Sequence, residues 1–405
     1  MHFNTFRRIV FVAALGFGFI SVARGGGIEV PQQGARAAGQ ADAFTAQADD
    51  PSAIFYNPAG LTQLKGTNFS GGVFAIFPEF HFSGEGGESM RLPSVLPHLY
   101  AESDFGLERW RFGIGLNDTM GINEDWGNNG PLALLVDKAS LTLLSLSPTV
   151  SYKVNDHFSA GVALNAYWGE LNVRRNVMLG APPIPEGTFH FRGHDEAVGV
   201  TPGIMWKIDS RNTIGAYYRS PYRLDFEGDA RITAKGVPEI GPSSASTTLD
   251  FPQSAGIGYA VRPVEPLKVE ADVIWTDWSS FGKSSISSSD PHFNGQKTVY
   301  DWKSGFTFRL GAQYDLTPHW VLRAGYAYGQ NAIPTSTFSP LVPDSNYHLF
   351  AAGIGYETDR WSIDLAYQYI YRERRHIHDN LYSPMTDGTW DNQMNCLMLT
   401  AGYKL

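Results

Sequence analysis

Cysteine is almost missing from this 405-residue chain: Cys396 stands alone, so no disulfide can form within it. That leaves either a chain kept in a reducing compartment or one held together by backbone hydrogen bonds. Charge is scarce as well. Asp, Glu, Lys and Arg make up 18% of the residues, against about a quarter in ordinary globular proteins. The formal net charge is −9, and no basic stripe is present to neutralise phosphates, which excludes a nucleic-acid partner. Beyond the N-terminus, no apolar run approaches the roughly 18 residues of a membrane-crossing helix. What the chain has in quantity is glycine, 43 residues, and aromatic side chains, 13%. That mixture suits a long sheet better than a helical core.

The N-terminus sets the compartment. Arg7 and Arg8 precede an apolar run from Ile9 to Val22, and the small residues Ser21, Ala23 and Gly25 follow. A charged start, a short apolar stretch and small residues make a secretory signal over residues 1–25, cleaved between Ala23 and Gly26. The alternative is a membrane anchor, but the run is near 15 residues and a helical span needs about 20. An exported chain with no further apolar span enters a membrane only as a closed barrel, because lipid satisfies no backbone hydrogen bond.

Alternation supports that reading. Trp320, Leu322, Ala324, Tyr326 and Tyr328 share one strand face, against Val321, Arg323, Gly325 and Ala327 on the other. Trp361, Ile363, Leu365, Tyr367, Tyr369 and Tyr371 oppose Ser362, Asp364, Ala366, Gln368 and Arg372. Phe306, Phe308 and Leu310 oppose Thr307, Arg309 and Gly311, and Leu267, Val269 and Val273 oppose Lys268, Glu270 and Asp272. Strand side chains alternate with period two, so each segment has one greasy face tipped with Trp or Tyr and one small or polar face. Soluble sandwiches alternate too. Here, however, the apolar faces run for about 10 to 12 residues, enough to cross lipid at a tilt, and the aromatic ends match interfacial girdles. Connections alternate short (Lys153–His157, Lys207–Asn212, Val261–Pro266, Asp315–His319, Glu357–Arg360) and long (Asp118–Ser140, Val177–Phe189, Ile232–Ala245, Ser279–Thr298, Gln330–Asp344, Arg374–Asp391). The pattern yields about fourteen strands, an even number with short periplasmic turns and long outer loops. On the inner faces, Arg309, Arg323, Glu270, Asp272 and Asp364 read first as ion pairs satisfying a filled lumen, and second as anchors for a carboxylate.

Residues 26–66 do not read as strand. Small residues crowd Gly34–Phe44, and Asp50-Pro51 and Asn57-Pro58 mark turns or helix starts, as in a plug folded inside a barrel. Gly39-Gln40-Ala41-Asp42-Ala43-Phe44, Ala48-Asp49-Asp50-Pro51-Ser52-Ala53 and Asn57-Pro58-Ala59-Gly60 occur in order here. They are followed by Tyr218-Arg219-Ser220-Pro221-Tyr222, Asp272–Trp278, Leu322–Tyr326, Val342–Ser345 and Ala352–Tyr356. In these motifs and their order the chain resembles the FadL family of outer-membrane long-chain fatty acid transporters, which also includes uptake channels for aromatic hydrocarbons. The resemblance covers essentially the whole mature chain.

The resemblance implies an all-β fold: a 14-stranded antiparallel transmembrane β-barrel over residues 67–405, with an N-terminal hatch over 26–66 inside the lumen. It also implies capture of a hydrophobic ligand among the outer loops, passage to an inner pocket, and release sideways into the membrane beside a kinked third strand. Asn57, Pro58 and Ala59 carry over as the hatch motif near that gap. The kink is expected near Arg109–Asn117, where Gly113 and Gly115 permit a bend or, equally, supply lumen-side spacing. The sequence departs from the family in a short proline-rich loop, Ala181-Pro182-Pro183-Ile184-Pro185. Arg174 and Arg175, at the outer end of the fifth strand, are candidates to anchor a ligand carboxylate or to meet lipopolysaccharide phosphates. The expected partners are a fatty acid or hydrocarbon, outer-membrane lipid and lipopolysaccharide, and the expected state is a monomer. No catalytic residue, cofactor or metal site is expected: His376 and His378 lack further ligands at metal-like spacing, and no Gly-x-Ser-x-Gly elbow occurs. A structural or adhesive barrel is the reading from a different functional class.

Overall fold

The computed structural model describes residues 28–179 and 186–405. The expected signal segment and the proline-rich loop lie outside them. Fourteen barrel strands follow in chain order: β1 (Thr67–Gly84), β2 (Ser94–Ser103), β3 (Trp110–Asp125), β4 (Lys138–Lys153), β5 (Phe158–Met178) and β6 (Glu186–Lys207), then β7 in two lengths (Asn212–Arg219 and Tyr222–Ala234). β8 also comes in two lengths (Val237–Phe251 and Ser254–Val264), and β9 (Leu267–Thr276), β10 (Gly305–Asp315), β11 (Trp320–Gly329), β12 (Tyr347–Glu357), β13 (Trp361–Arg372) and β14 (Gly388–Lys404) complete the set. Each pairs antiparallel with the next, and β14 returns to β1 from Asn68↔Lys404 to Gly84↔Gly388, which closes the barrel.

The period-two reading fixes which face meets lipid. Trp361, Ile363, Leu365 and Tyr367 are exposed while Asp364, Ala366 and Gln368 are buried, and Phe306, Phe308 and Leu310 likewise point outward. In a bilayer that outer band is buried by hydrocarbon, so its exposure marks the membrane-facing surface.

Several expected loops are strand. Ile232–Ala245 is not a long loop: the ladder runs from Ala234↔Val237 down to Tyr222↔Phe251, and only Lys235 and Gly236 turn the chain. β3 continues to Asp125, well into the expected Asp118–Ser140 connection. Along Val237–Thr248 most side chains on both faces are small or polar, so the apolar alternation that marks a membrane-level strand is missing there although the ladder continues. Above the membrane the remaining loops fold over the mouth around an aromatic core. Trp390 stacks on Phe82 at 4.5 Å and meets Phe338 and Trp126 edge-on at 4.9 and 5.6 Å.

Two interruptions of the wall bear on the site. Between β6 and β7 the lower ladder stops at Gly203↔Tyr217 and the upper one resumes at His194↔Glu227. Pro221 has no N–H to donate, and Ser220 bridges the break by donating its N–H to the Val200 carbonyl and accepting the Val200 N–H on its hydroxyl. Between β2 and β3 the ladder ends at His98↔Asn117.

Candidate functional site

Residues 28–66 lie inside the barrel as two single-turn helices, α1 (Ala35–Ala38) and α2 (Ala53–Tyr56), and a 3-10 turn, Pro58–Gln63. Inward-facing charges of the wall hold this lumenal segment. Asp272 accepts the Phe44 and Thr45 amides at 3.1 Å and the Thr45 hydroxyl at 2.7 Å. Glu270, two residues earlier on the same face of β9, accepts the Ala46 and Gln47 amides at 2.7 Å. Four successive backbone N–H groups thus end on two neighbouring carboxylates. Arg309 donates to the Asp42 carbonyl at 2.9 Å, and Gln368 donates to the Ala38 carbonyl at 2.8 Å. Within the segment, Arg36 reaches Asp49 at 3.6 Å and Asp50 at 3.8 Å; from it to the wall, Arg36 reaches Glu357 at 2.5 Å and Lys268 reaches Asp49 at 2.7 Å. Burial pushes the Asp49 carboxyl up, but Lys268 and Arg36 together outweigh it and hold the group well below the usual carboxylate range. Arg323 pairs with Asp364 at 2.6 Å. The inward charges are therefore spent on one another and on the lumenal segment, as the first of the two sequence readings has it.

Asn57 is fully buried. Its side-chain oxygen accepts the Ala59 amide at 3.2 Å, capping the 3-10 turn, and its amide donates to the carbonyls of Thr45 at 2.8 Å and of Ile204 on β6 at 3.1 Å. The Pro58 carbonyl accepts the Ser151 hydroxyl of β4 at 2.6 Å. A Cβ at Gly203 would stand 2.2 Å from the Asn57 oxygen, and one at Gly161 would stand 2.6 Å from the Pro58 backbone. The Asn57-Pro58-Ala59 motif, which the resemblance sets near the lateral gap, is pressed against β4, β5 and β6.

A different stretch occupies the break. Where β3 parts from β2, the β3–β4 register slips between Asp118 and Met120, and the N-terminal strand-like stretch adds to the freed edge. Gly121 donates to Ile28 at 2.8 Å and Val30 donates to Thr119 at 2.9 Å. Gln33 bonds the Asp118 carbonyl at 2.5 Å and accepts from the Tyr100 hydroxyl at 3.2 Å. Across the outer end Asn123 donates to Ser94 at 2.9 Å, between the two strands. The irregularity lies beyond Gly113 and Gly115, which sit in unbroken ladder opposite Glu102 and Tyr100. Their missing side chains make room for Ile54, 2.8 Å from a Cβ at 113 and 3.0 Å from one at 115. Just below the end of the ladder, the lipid face carries an apolar groove of about 420 Å³ lined by Leu99, Ile114, Leu116 and Leu146.

Near the mouth a cavity of about 210 Å³ is lined by Leu171, Val173, Phe189, Leu249, Ile286 and Leu341, with Arg175, Lys297 and Tyr382 among its polar groups. Arg175 donates to Gln296 at 2.8 Å and lies 5.4 Å over the Phe189 ring; among the described residues it meets no carboxylate. Arg174, its neighbour, is on the opposite face and pairs with the buried Asp137 at 2.5 Å. The structure therefore separates the two arginines that the sequence reading grouped. That reading missed Gln33 and the Ile28–Val30 edge, which no motif marks. It also missed the glycines at the lumenal contacts, whose signal was available: interior strand glycines often mark close backbone approach.

Residues 19–404 match the family described as "Outer membrane protein transport protein (OMPP1/FadL/TodX)". The chain belongs to this family. The long-chain fatty acid transport protein of Escherichia coli O6:H1 (strain CFT073) is 22% identical over 372 residues, covering 81% of this chain and 82% of the relative. A Pseudomonas aeruginosa FadL homologue of known structure superposes with a TM-score of 0.84 at 22% identity, over 93% of this chain and 99% of that one. The toluene transporter TodX of Pseudomonas putida gives 0.69 at 18% identity, over 88% and 94%. At such identities the superpositions speak to fold alone. With the family match they make this FadL/TodX-family member an outer-membrane β-barrel that transports hydrophobic compounds.

Proposed function

We propose that this FadL/TodX-family barrel takes up long-chain fatty acids by passive diffusion, binding the carboxylate at Arg175 and releasing the chain sideways between β2 and β3. The observation that carries the choice of substrate is Arg175: a guanidinium lining an apolar cavity, with Lys297 beside it and no carboxylate of the described protein to balance it. A purely hydrocarbon ligand gains nothing from such a cation, whose desolvation is costly, whereas a fatty acid supplies both the balancing charge and roughly 0.8 kcal/mol per buried CH₂. Sideways release follows from the lumen. The plug of residues 28–66 is tied to the wall by charge-assisted hydrogen bonds on several strands, while the β2–β3 break opens beside an apolar groove on the lipid face. Leaving through the wall spares the chain any passage through water.

The test is the Arg175→Gln variant, titrated with oleate and separately with toluene. Losing a charge-assisted hydrogen bond of about 1.5–3 kcal/mol weakens oleate binding about 10- to 150-fold and leaves toluene binding unchanged. Equal oleate binding by both proteins, with toluene bound well, would give the aromatic-hydrocarbon reading instead.

A further inference from the structure

On the outer surface of β5, β6 and β7, above the membrane band, cross-strand register stacks three rows of polar side chains. The highest row is Arg174–His190–Arg231, the next Asn172–Arg192–Asp229, and the lowest Glu170–His194–Glu227. All point away from the core, since Phe189, Phe191, Ala230 and Ile232 between them are buried. Glu170, His190, Arg192, His194, Asp229 and Arg231 border a hollow of about 490 Å³. The bonding inside it is asymmetric. Arg192 pairs with Glu170 at 2.9 Å, and Arg174 is turned to Asp137. Arg231 has only His190: its guanidinium donates to Nδ1 at 3.2 Å, and Nε2, which then carries the proton, donates to Asn172 at 3.0 Å. The imidazole is therefore a neutral strut holding an exposed guanidinium in place. Among the described residues Arg231 has no ion-pair partner.

Height along the strands selects what this hollow meets. Val198, the last exposed apolar residue of the lipid face of β6, pairs with Ala166, and Glu196 in the next row pairs with Trp168, an aromatic at the level of the outer girdle. From that row to Arg174–His190–Arg231 is a further six residues, about 15 Å once strand tilt is allowed for. A phospholipid head group extends only about 5–8 Å beyond the hydrocarbon edge. At the height of the hollow, the outer leaflet of a Gram-negative membrane presents the phosphorylated core sugars of lipopolysaccharide.

We infer that this hollow is a binding site for a core sugar phosphate of lipopolysaccharide. Arg231 and Arg192, one row apart on neighbouring strands, bracket the phosphate with charge-assisted hydrogen bonds, and Asp229 and His194 accept from sugar hydroxyls. The hollow lies on the outer face of β5 and β6, whereas the Arg175 cavity of the proposed route is lined from the inner face of the same strands.

The experiment uses the full-length protein in detergent micelles, titrated with three probes: lipopolysaccharide with a phosphorylated core, the same lipopolysaccharide dephosphorylated with hydrofluoric acid, and lipid A alone. The variants are Arg231→Ser with His190→Gln, and, as a control on the same face, Arg223→Ser, whose guanidinium is already matched by Asp250 at 2.6 Å. Heat-modifiable migration on gels reports that each barrel is folded. The expected result is at least a tenfold loss of affinity for intact lipopolysaccharide in the double variant and none in the control. The wild type should bind dephosphorylated lipopolysaccharide as weakly as the double variant binds the intact form, and lipid A should not distinguish the proteins. Equal binding of intact lipopolysaccharide by wild type and double variant overturns the site. So does wild-type binding of lipid A as tight as that of the intact molecule.

Discussion

At Gly215, on β7, a Cβ would stand 2.1 Å from the carbonyl oxygen of Thr45 and 2.8 Å from Cα of Ala46. Those are backbone atoms of a stretch fixed by Asp272 and Glu270, so they have nowhere to move. Gly325 on β11 presses on the Gln40–Ala41 peptide in the same manner, at 2.3 Å. At these contacts the wall gives up side chains so that a second backbone can lie against it, one use of the abundant glycine. Gly113 differs in kind: the atom nearest its absent Cβ is the terminal Cδ1 of Ile54, the far end of a rotatable side chain. Gly215→Ala should therefore destabilise by about 1–3 kcal/mol, the range of overpacking, and loosen the plug, while Gly113→Ala should stay within about 1 kcal/mol. Reversible urea unfolding in detergent, followed by tryptophan fluorescence, measures both. Equal midpoints for the two variants would mean that the lumenal segment is not held against the wall as drawn.

Among the elements, β3 bears most on the proposed transport route. From Trp110↔Tyr152 to Asp118↔Leu144 it keeps one register with β4, and from Met120↔Leu143 onward it keeps another, with Thr119 as the extra residue. A bulge of this sort bends a strand and raises its twist, which carries β3 away from β2 and leaves the edge that Ile28–Val30 covers. Deleting Thr119 restores a single register, straightens β3 toward β2 and closes the wall. Oleate uptake by cells carrying the deletion should fall at least tenfold, while oleate binding at the Arg175 cavity stays within about twofold of wild type. Unchanged uptake would remove the β2–β3 break from the route. The sequence showed a kink on the third strand only by resemblance, and Gly113 and Gly115 drew attention because glycine is the visible mark of a bend. A bulge at threonine has no such mark: it arises from one extra residue in the pairing, a property of two strands that neither shows alone. The membrane-level strands were legible because lipid on one side and a polar plug on the other force alternation. Val237–Thr248 was not, since most of it meets water on both faces, which demands no contrast. Arg174 and Arg175 show a rule left unapplied: adjacent residues of a strand point to opposite faces, so only one of them faces the cavity.

For the whole molecule, a fourteen-stranded barrel is wide enough to hold a water-filled channel unless something occupies it, since diameter grows with strand number. Here residues 28–66 occupy it, and their ties to Glu270, Asp272, Arg309 and Gln368 come from strands on one side of the wall while Ser151 and Ile204 hold the Asn57-Pro58 end on the other. Transport and ion permeability are thereby separated. On the proposed route an apolar solute goes from the mouth through the wall, while ions meet a filled lumen. In planar bilayers the intact protein should show little steady conductance, and a chain lacking residues 28–66 should conduct strongly. The barrel ladders do not depend on that segment for closure, since β1 pairs with both β2 and β14. The inward charges uncovered by its removal would be solvated by the water that replaces it, so the shortened protein should still refold and keep heat-modifiable migration on gels. Steady conductance by the intact protein would mean that ions pass the plug, and an axial route for the ligand would then compete with the lateral one. A folded but silent deletion variant would place the seal elsewhere, in the aromatic core around Trp390 that covers the mouth.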